Sequence, residues 1–158
     1  MRTFLKSRSF LILFTAALVG CMGATRYRPH TGHRGGYAET RLGEDTFKGS
    51  FVGNEDTART TAETYLLYRC AELTVEAGFD HFVIIETSGA WTAPSPDGTD
   101  FRARSSPEPW VSPQHREHHL NHEAPAFGAL IKAGKGTRPP GGYDARQFIL
   151  HMTSSIRR

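Results

Sequence analysis

The 158-residue chain has 19 basic and 16 acidic residues, which give a formal net charge of +3 and a pI of about 9.1. Three of the basic residues, Arg2, Lys6 and Arg8, precede Cys21, whereas all of the acidic residues follow it, so the chain from Cys21 onward is formally neutral. The basic pI therefore gives no support for binding to nucleic acid or to anionic lipid, and the length suits a single domain.

The first 20 residues have the layout of a secretory signal peptide. A basic start leads into an apolar run of ten residues, Phe10 to Val19, which Gly20 and Cys21 follow. The alternative for this run is a membrane-spanning helix, which needs about 20 apolar residues. A plain secretory signal would have a small residue at the position that Leu18 occupies, so a different signal peptidase is indicated.

Leu18-Val19-Gly20-Cys21 resembles the lipobox of bacterial lipoproteins, which has the form Leu-x-Gly/Ala-Cys. The resemblance implies that a diacylglyceryl group is attached to the Cys21 thiol, that cleavage occurs before Cys21 and that the new amino terminus is acylated. In the sorting rule of that class, an Asp after the cysteine favours retention in the inner membrane, and this chain has Met22 there. The resemblance therefore implies an outer-membrane anchor and a protein that faces the periplasm.

Lipidation of Cys21 would leave Cys70 as the remaining thiol, so no disulfide could form within the chain. Cys70 must then be buried, paired with another chain or reactive. A nucleophilic thiol needs an electropositive and partly open setting. Cys70 instead shares an apolar helical stripe with Leu66 and Leu73, which favours a buried, unreactive thiol.

The first half of the predicted domain contains a tether, a hairpin and a helix. Residues 21–36 carry the lipid attachment site and few apolar residues, and they predict a flexible tether. Residues 37–52 predict a β-hairpin that turns at Gly43-Glu44-Asp45. Asn54 is the predicted N-cap of a long helix, which Gly78 ends in a Schellman motif with the following residue, Phe79. The apolar stripe of this helix comprises Ala58, Ala62, Leu66, Cys70, Leu73 and Ala77.

The second half begins with His81 to Glu86, whose continuous apolar run predicts a central strand covered on both faces. Residues 88–123 form a Pro- and His-rich insertion, which is typical of a functional or disordered segment. Ala126 to Ala133 alternate as a strand does, and Gly134 to Gly142 predict a loop. Asp144 is the predicted N-cap of a last helix, with Gln147 in a capping box and an apolar stripe of Phe148, Ile149, Met152 and Ile156.

The resulting order, ββα-β-loop-βα, predicts one α+β domain over residues 37–156. Its fold would be a small, antiparallel-rich sheet with helices packed on one face. The chain is similar, over about residues 18–156, to a group of small bacterial lipoproteins of uncharacterised function. That resemblance implies no catalytic residues, and it is carried by Gly36-Tyr37-Ala38-Glu39-Thr40, Phe51-Val52-Gly53-Asn54, Tyr65-Leu66-Leu67-Tyr68-Arg69-Cys70-Ala71-Glu72-Leu73 and Tyr143-Asp144-Ala145-Arg146.

Four histidines of the insertion, His115, His118, His119 and His122, have the spacing of one helical face. Histidines at i and i+4 are a metal-binding spacing, so the cluster is a candidate Zn²⁺ or Cu²⁺ site. The metalloprotease motif H-E-x-x-H is absent, because no Glu follows His118. The alternative is a solvated polar loop whose histidines have no specific role.

Two further features have simple explanations. Gly134-Lys135-Gly136-Thr137 lacks the spacing of a Walker A loop and predicts a turn. Trp91 and Trp110, within the Pro-rich insertion, could contact a partner or a glycan, or they could pack the insertion onto the domain.

The sequence thus predicts a lipid-anchored periplasmic envelope protein that acts as a non-enzymatic structural or interaction module. Its expected partners are the membrane, through the lipid on Cys21, and an unidentified envelope protein or glycan, but not nucleic acid. The alternative is a metal-binding envelope lipoprotein that uses the His-rich insertion. The first hypothesis needs no cofactor, whereas the second needs Zn²⁺ or Cu²⁺.

Overall fold

The computed structural model describes residues 23–89, residue 96 and residues 124–158. Within these ranges five strands form one sheet, and two α-helices and two short 3₁₀-helices accompany it. The strands are β1 (Gly36–Arg41), β2 (Thr46–Val52), β3 (His81–Ser88), β4 (Ala126–Gly134) and β5 (Tyr143–Asp144). The α-helices are α1 (Arg59–Glu76) and α2 (Ala145–Met152), and the 3₁₀-helices are Gly32–Arg34 and Thr153–Ser155.

The sheet has the strand order β1-β2-β4-β3-β5, and each neighbouring pair is antiparallel. The predicted hairpin is confirmed, with Gly36 opposite Val52 and Arg41 opposite Phe47. Both α-helices pack on the same face of the sheet, and α2 also packs on α1. The predicted α+β class, an antiparallel sheet with helices on one face, is therefore confirmed.

The core lies between the sheet and α1. Alternation along β2 points Phe47 and Phe51 toward the helix, and both are buried. Gly49 lies between them, and a Cβ there would stand 3.2 Å from the Cys70 sulfur, so the missing side chain lets α1 approach the sheet closely. The predicted helical stripe is buried at Ala62, Leu66, Cys70 and Leu73.

The sequence predicted the C-terminal end of α1 correctly but not its N-terminal end. The helix begins at Arg59 with Ala58 at the N-cap position, so the prediction of Asn54 as N-cap is wrong. The backbone carbonyl of Asn54 instead accepts the Thr57 N–H at 2.9 Å in a turn that precedes the helix. The C-terminal prediction is confirmed: Gly78 has a φ of +81°, and the Phe79 N–H donates to the Thr74 carbonyl at 2.9 Å.

The prediction that β3 is covered on both faces is wrong. Phe82 is fully buried against the helices, but Ile85 is 57% exposed, and the pairing with β4 shifts register between Ile84 and Glu86. The helices cover one side of β3. The apolar run of this strand continues into the irregular stretch around Ile85.

The C-terminal elements largely follow the sequence pattern. β4 and the loop after it are confirmed, and Asp144 caps α2 by accepting the Gln147 N–H at 2.9 Å. Gly136 has a φ of +77° and donates its N–H to Asp80 at 2.9 Å, as expected for a turn. The short strand β5, which pairs Tyr143 with Phe82, was not predicted, because two residues are too few to show periodicity.

Residues 25–36 do not form the predicted flexible tether. Thr25 and Tyr27 are 4% and 5% exposed, and Pro29 makes a parallel bridge to Tyr37 at the start of β1. The packed domain therefore begins about a dozen residues before the predicted boundary at residue 37. Among the described residues, no helix has the length and apolar character needed to cross a membrane.

Candidate functional site

The N-terminal segment, defined here as residues 23–30, is held by reciprocal hydrogen bonds to the turn before α1. The Thr25 N–H donates to the Thr57 hydroxyl at 2.9 Å and to the Asn54 side-chain oxygen at 3.2 Å. In return, the Asn54 N–H donates to the Thr25 hydroxyl at 2.9 Å, and the Asn54 amide donates to the Gly23 carbonyl at 3.0 Å. These bonds give Asn54 a docking role instead of the predicted capping role.

Tyr27 continues the docking toward the C-terminal end of the chain. Its backbone N–H donates to the Arg157 carbonyl at 2.7 Å. Its ring makes edge contacts with Tyr65 and Tyr68 of α1 and a tilted contact with Tyr37, with ring centroids 4.7 to 5.5 Å apart. Aromatic contacts of this kind add to the stabilisation that comes from burial.

After Tyr27 the segment passes close against the residues that lead into β1. The Tyr37 N–H donates to the Arg28 carbonyl at 2.8 Å, and the His30 N–H donates to the Tyr37 carbonyl at 2.7 Å. Gly36 has a φ of +128°, and a Cβ there would stand 2.4 Å from the Arg28 carbonyl oxygen. This close backbone approach requires glycine.

A groove of about 940 Å³ opens where the N-terminal segment, the start of α1 and the last residues of the chain meet. Its walls include Gly23, small hydroxyl side chains such as Thr60 and Ser154, and the buried Tyr65. The charged residues that line it are Arg26, Asp56, Arg157 and Arg158. We call this feature the arginine groove.

A second polar feature is the buried Arg69, which is 9% exposed and lies among three carboxylates. It donates to both oxygens of Glu39 at 3.0 and 3.2 Å, to Glu72 at 2.9 Å and to Glu76 at 3.0 Å. Its guanidinium also lies over the Tyr37 ring, 4.8 Å from the centroid. Burial alone would lower the pKa of Arg69, but the hydrogen bonds to the carboxylates hold it above its ordinary value.

This Arg69 cluster joins β1, α1 and the N-terminal segment. The Tyr27 hydroxyl donates to Glu72, and burial together with that hydrogen bond raises the Tyr27 pKa above its ordinary value. Because the N–H donors of Arg69 are already hydrogen-bonded to three carboxylates, the arrangement orders the fold and leaves this guanidinium no free donor for an anionic substrate.

Cys70 is buried within α1, as its position on the apolar stripe predicted. Burial raises the pKa of its thiol to about 12, despite the opposing effect of the nearby Arg69 charge. The group is therefore a protonated thiol at neutral pH, and a protonated, buried thiol is a poor nucleophile.

The predicted lipidation site Cys21 and the four clustered histidines, His115, His118, His119 and His122, lie outside the described residues. Trp91 and Trp110 do so as well. Their roles therefore stay predictions from the sequence. Within residues 23–89 and 124–158, no group of three or more His, Cys, Asp or Glu side chains is arranged to hold a metal ion.

Sequence reasoning missed both the arginine groove and the docked N-terminal segment. The segment has few apolar residues, and its hydrogen bonds to the turn before α1 and to Arg157 join positions about 30 or more residues apart, which no local pattern reveals. One signal was present: Tyr27 lies within the supposed tether and Tyr37 directly follows it, and aromatic side chains are usually buried at least in part.

Comparisons with protein-family models, with curated proteins and with solved structures found no significant match to this chain.

Proposed function

We propose that this protein is a lipid-anchored component of the bacterial envelope, held in the outer membrane through Cys21 and facing the periplasm. The observation that carries the proposal is Leu18-Val19-Gly20-Cys21, which follows a basic start and a ten-residue apolar run. The run is about half the length of a membrane-spanning helix, so it suits a cleaved signal better than an anchor.

Within this proposal the folded domain is a structural or interaction module and not an enzyme. Two features of the described residues support that part. The Cys70 thiol is buried, with its pKa raised to about 12, which disfavours a thiol enzyme. The Arg69 guanidinium is hydrogen-bonded to three carboxylates, which disfavours a role for Arg69 in binding a substrate.

The anchor is tested by Cys21→Ala in cells grown with a labelled fatty acid. The variant should take up no label and should accumulate as unprocessed precursor, because the acceptor thiol is missing. The matched control is Cys70→Ala, which removes the other thiol and should leave labelling and processing unchanged. Normal processing and membrane retention of the Cys21 variant would overturn the proposal.

The interaction role is tested by affinity purification of a tagged, lipidated chain from detergent-solubilised envelopes after mild cross-linking. A partner of the module should be recovered with the wild-type chain in stoichiometric amounts. Recovery of the same partner should be reduced when Cys21→Ala prevents lipidation and processing. Recovery of no envelope component above the level of an untagged control would contradict the interaction role.

The second candidate is a metal-binding envelope lipoprotein. It is favoured by one observation, the helical spacing of His115, His118, His119 and His122. The metal content of the mature protein, purified without chelator, tests it. Zinc or copper near one equivalent per chain would support this function, whereas substoichiometric metal in protein kept in zinc- and copper-supplemented buffer would contradict it.

A further inference from the structure

The docked N-terminal segment limits how far the domain can lie from its anchor, and this argument rests on the proposed lipidation of Cys21. Gly23 lines the arginine groove, and its carbonyl accepts the Asn54 side-chain amide at 3.0 Å. Cys21 precedes Gly23 by two residues, so their Cα atoms are at most about 7 Å apart. An acyl chain on Cys21 would therefore keep this groove within reach of the membrane surface.

The charged side chains that line the groove are mostly positive. Arg26, Arg157 and Arg158 line it and are exposed, whereas Asp56 is the acidic residue in its lining. Arg26 donates to the Arg158 main-chain oxygen at 3.4 Å and Arg158 lies 3.4 Å from Glu72, but both contacts are long and both arginine side chains are exposed. Arg26 belongs to the N-terminal segment, and Arg157 and Arg158 are the last residues of the chain. A chain that is formally neutral from Cys21 onward thus acquires a local basic surface beside its anchor.

We propose that the arginine groove is a membrane-facing surface that binds the phosphate groups of anionic phospholipids. A guanidinium presents paired N–H donors that match phosphate oxygens, and the hydroxyls of Thr60 and Ser155 add further donors. Basic residues beside a lipid anchor are attracted to an anionic membrane surface and supply a second anchoring signal. The groove thereby fixes which side of the domain faces the bilayer.

The test uses the mature, lipidated full-length protein in vesicles of phosphatidylethanolamine and phosphatidylglycerol. A fluorophore is attached at Ser154→Cys in the groove, or at Thr40→Cys on the exposed face of the sheet as the matched control. Cys70 does not compete for the label, because it is buried. Nitroxide groups on lipid headgroups should quench the groove label several-fold more strongly than the control label. Equal quenching, or stronger quenching of the control, would overturn the proposal.

A charge variant tests the role of the arginines. The combined substitution of Arg26, Arg157 and Arg158 by Gln keeps the backbone hydrogen bonds of this region and should remove most of the quenching difference. The matched control replaces Lys48, Lys132 and Arg146, which lie away from the groove, by Gln and should preserve the difference. A difference that persists in the arginine variant, or that is unchanged in vesicles of phosphatidylcholine alone, would overturn the recognition of anionic lipid.

The experiments distinguish an error in the proposed lipidation of Cys21 from an error in the proposed binding of phospholipid by the groove. Flotation with the vesicles and the mass of the N-terminal peptide report whether Cys21 carries lipid. A chain without lipid would overturn the proposed function, and the groove proposal with it. A lipidated chain that floats with the vesicles but shows equal quenching at both positions would overturn the groove proposal and leave the proposed anchor supported.

Discussion

The hydroxyl of Tyr27 donates a hydrogen bond to the carboxylate of Glu72, which also accepts the Arg69 guanidinium at 2.9 Å. This pair connects the N-terminal segment to the middle of α1 across 45 residues of sequence. Because Glu72 is charged and its side chain is 18% exposed, the bond is stronger than a hydrogen bond between neutral surface groups. The segment that leads from the predicted anchor is thus part of the cooperative fold.

Tyr27→Phe should lower the free energy of unfolding by about 1–2 kcal/mol, since it removes one charge-assisted hydrogen bond while keeping the ring contacts. Urea unfolding followed by circular dichroism measures the change. The Tyr27→Phe/Glu72→Gln double variant provides the control. Because the two groups share the bond, the two effects should be less than additive by about 1 kcal/mol. Strictly additive effects would show that the bond contributes nothing.

Cys70 should resist a bulky thiol reagent in the native protein and react only after denaturation, because its side chain is fully buried. Cys70→Ala should cost about 1–2 kcal/mol, the cost of a small cavity. Ser154→Cys is the matched control, since it places a thiol at an exposed position and should react rapidly under native conditions. Native labelling of Cys70 at the rate of that control would contradict its burial.

Stability should fall in alkaline solution. Burial raises the pKa of Cys70 from 9.0 to about 12 and that of Tyr143 from 10.0 to about 12. The folded chain keeps both protons where the unfolded chain has lost them, so this contribution is complete below about pH 9 and is lost as the pH rises toward 12. Thermal unfolding at pH 8 and pH 10.5 measures the loss. Cys70→Ala should show a shallower decline than wild type, and identical declines would contradict a role for the thiol.

Gly134→Ala should destabilise the domain by about 1–3 kcal/mol through overpacking. An added Cβ would stand 2.5 Å from Nε2 of the His81 ring, which is itself buried. The control Gly43→Ala would bring its Cβ no closer than 3.6 Å to Thr46 and should change stability by less than about 0.5 kcal/mol. Adding His81→Ala to the Gly134 variant should recover part of the lost stability. If no stability is recovered, the strain does not come from the contact with the His81 ring.

The elements that sequence reasoning predicted correctly are those with local, periodic signals. Apolar residues at steps of three or four mark α1, alternation marks β4, and Gly78 with Phe79 marks the end of α1. The continuous apolar run of β3 misled the prediction, because Ile85 lies in the irregular stretch and is exposed. Apolar character alone does not distinguish a strand covered on two faces from one that is partly irregular.

The N-terminal segment and the arginine groove could not be predicted from local patterns, because each depends on contacts between distant positions. Asn54 has the residue type of a helix cap, but its side chain bonds to residues 23 and 25. The sequence pattern cannot show which of these competing hydrogen bonds forms. Likewise, Arg26 and Arg157 become neighbours only once Tyr27 has docked on the last residues of the chain.

The final prediction concerns the four clustered histidines, whose spacing would let one helical face offer at least two imidazole ligands. If they form a site, the mature protein should bind Zn²⁺ or Cu²⁺ at micromolar concentration, as measured by calorimetry at neutral pH. His119→Ala removes one member of the His115/His119 pair and should weaken binding, while His151→Ala, on the exposed side of α2, should not. Binding should also weaken below about pH 6.5, because protonated imidazole cannot bind a metal. An absence of binding heat, or binding equal in the His119 and His151 variants, would leave these residues as an ordinary polar segment.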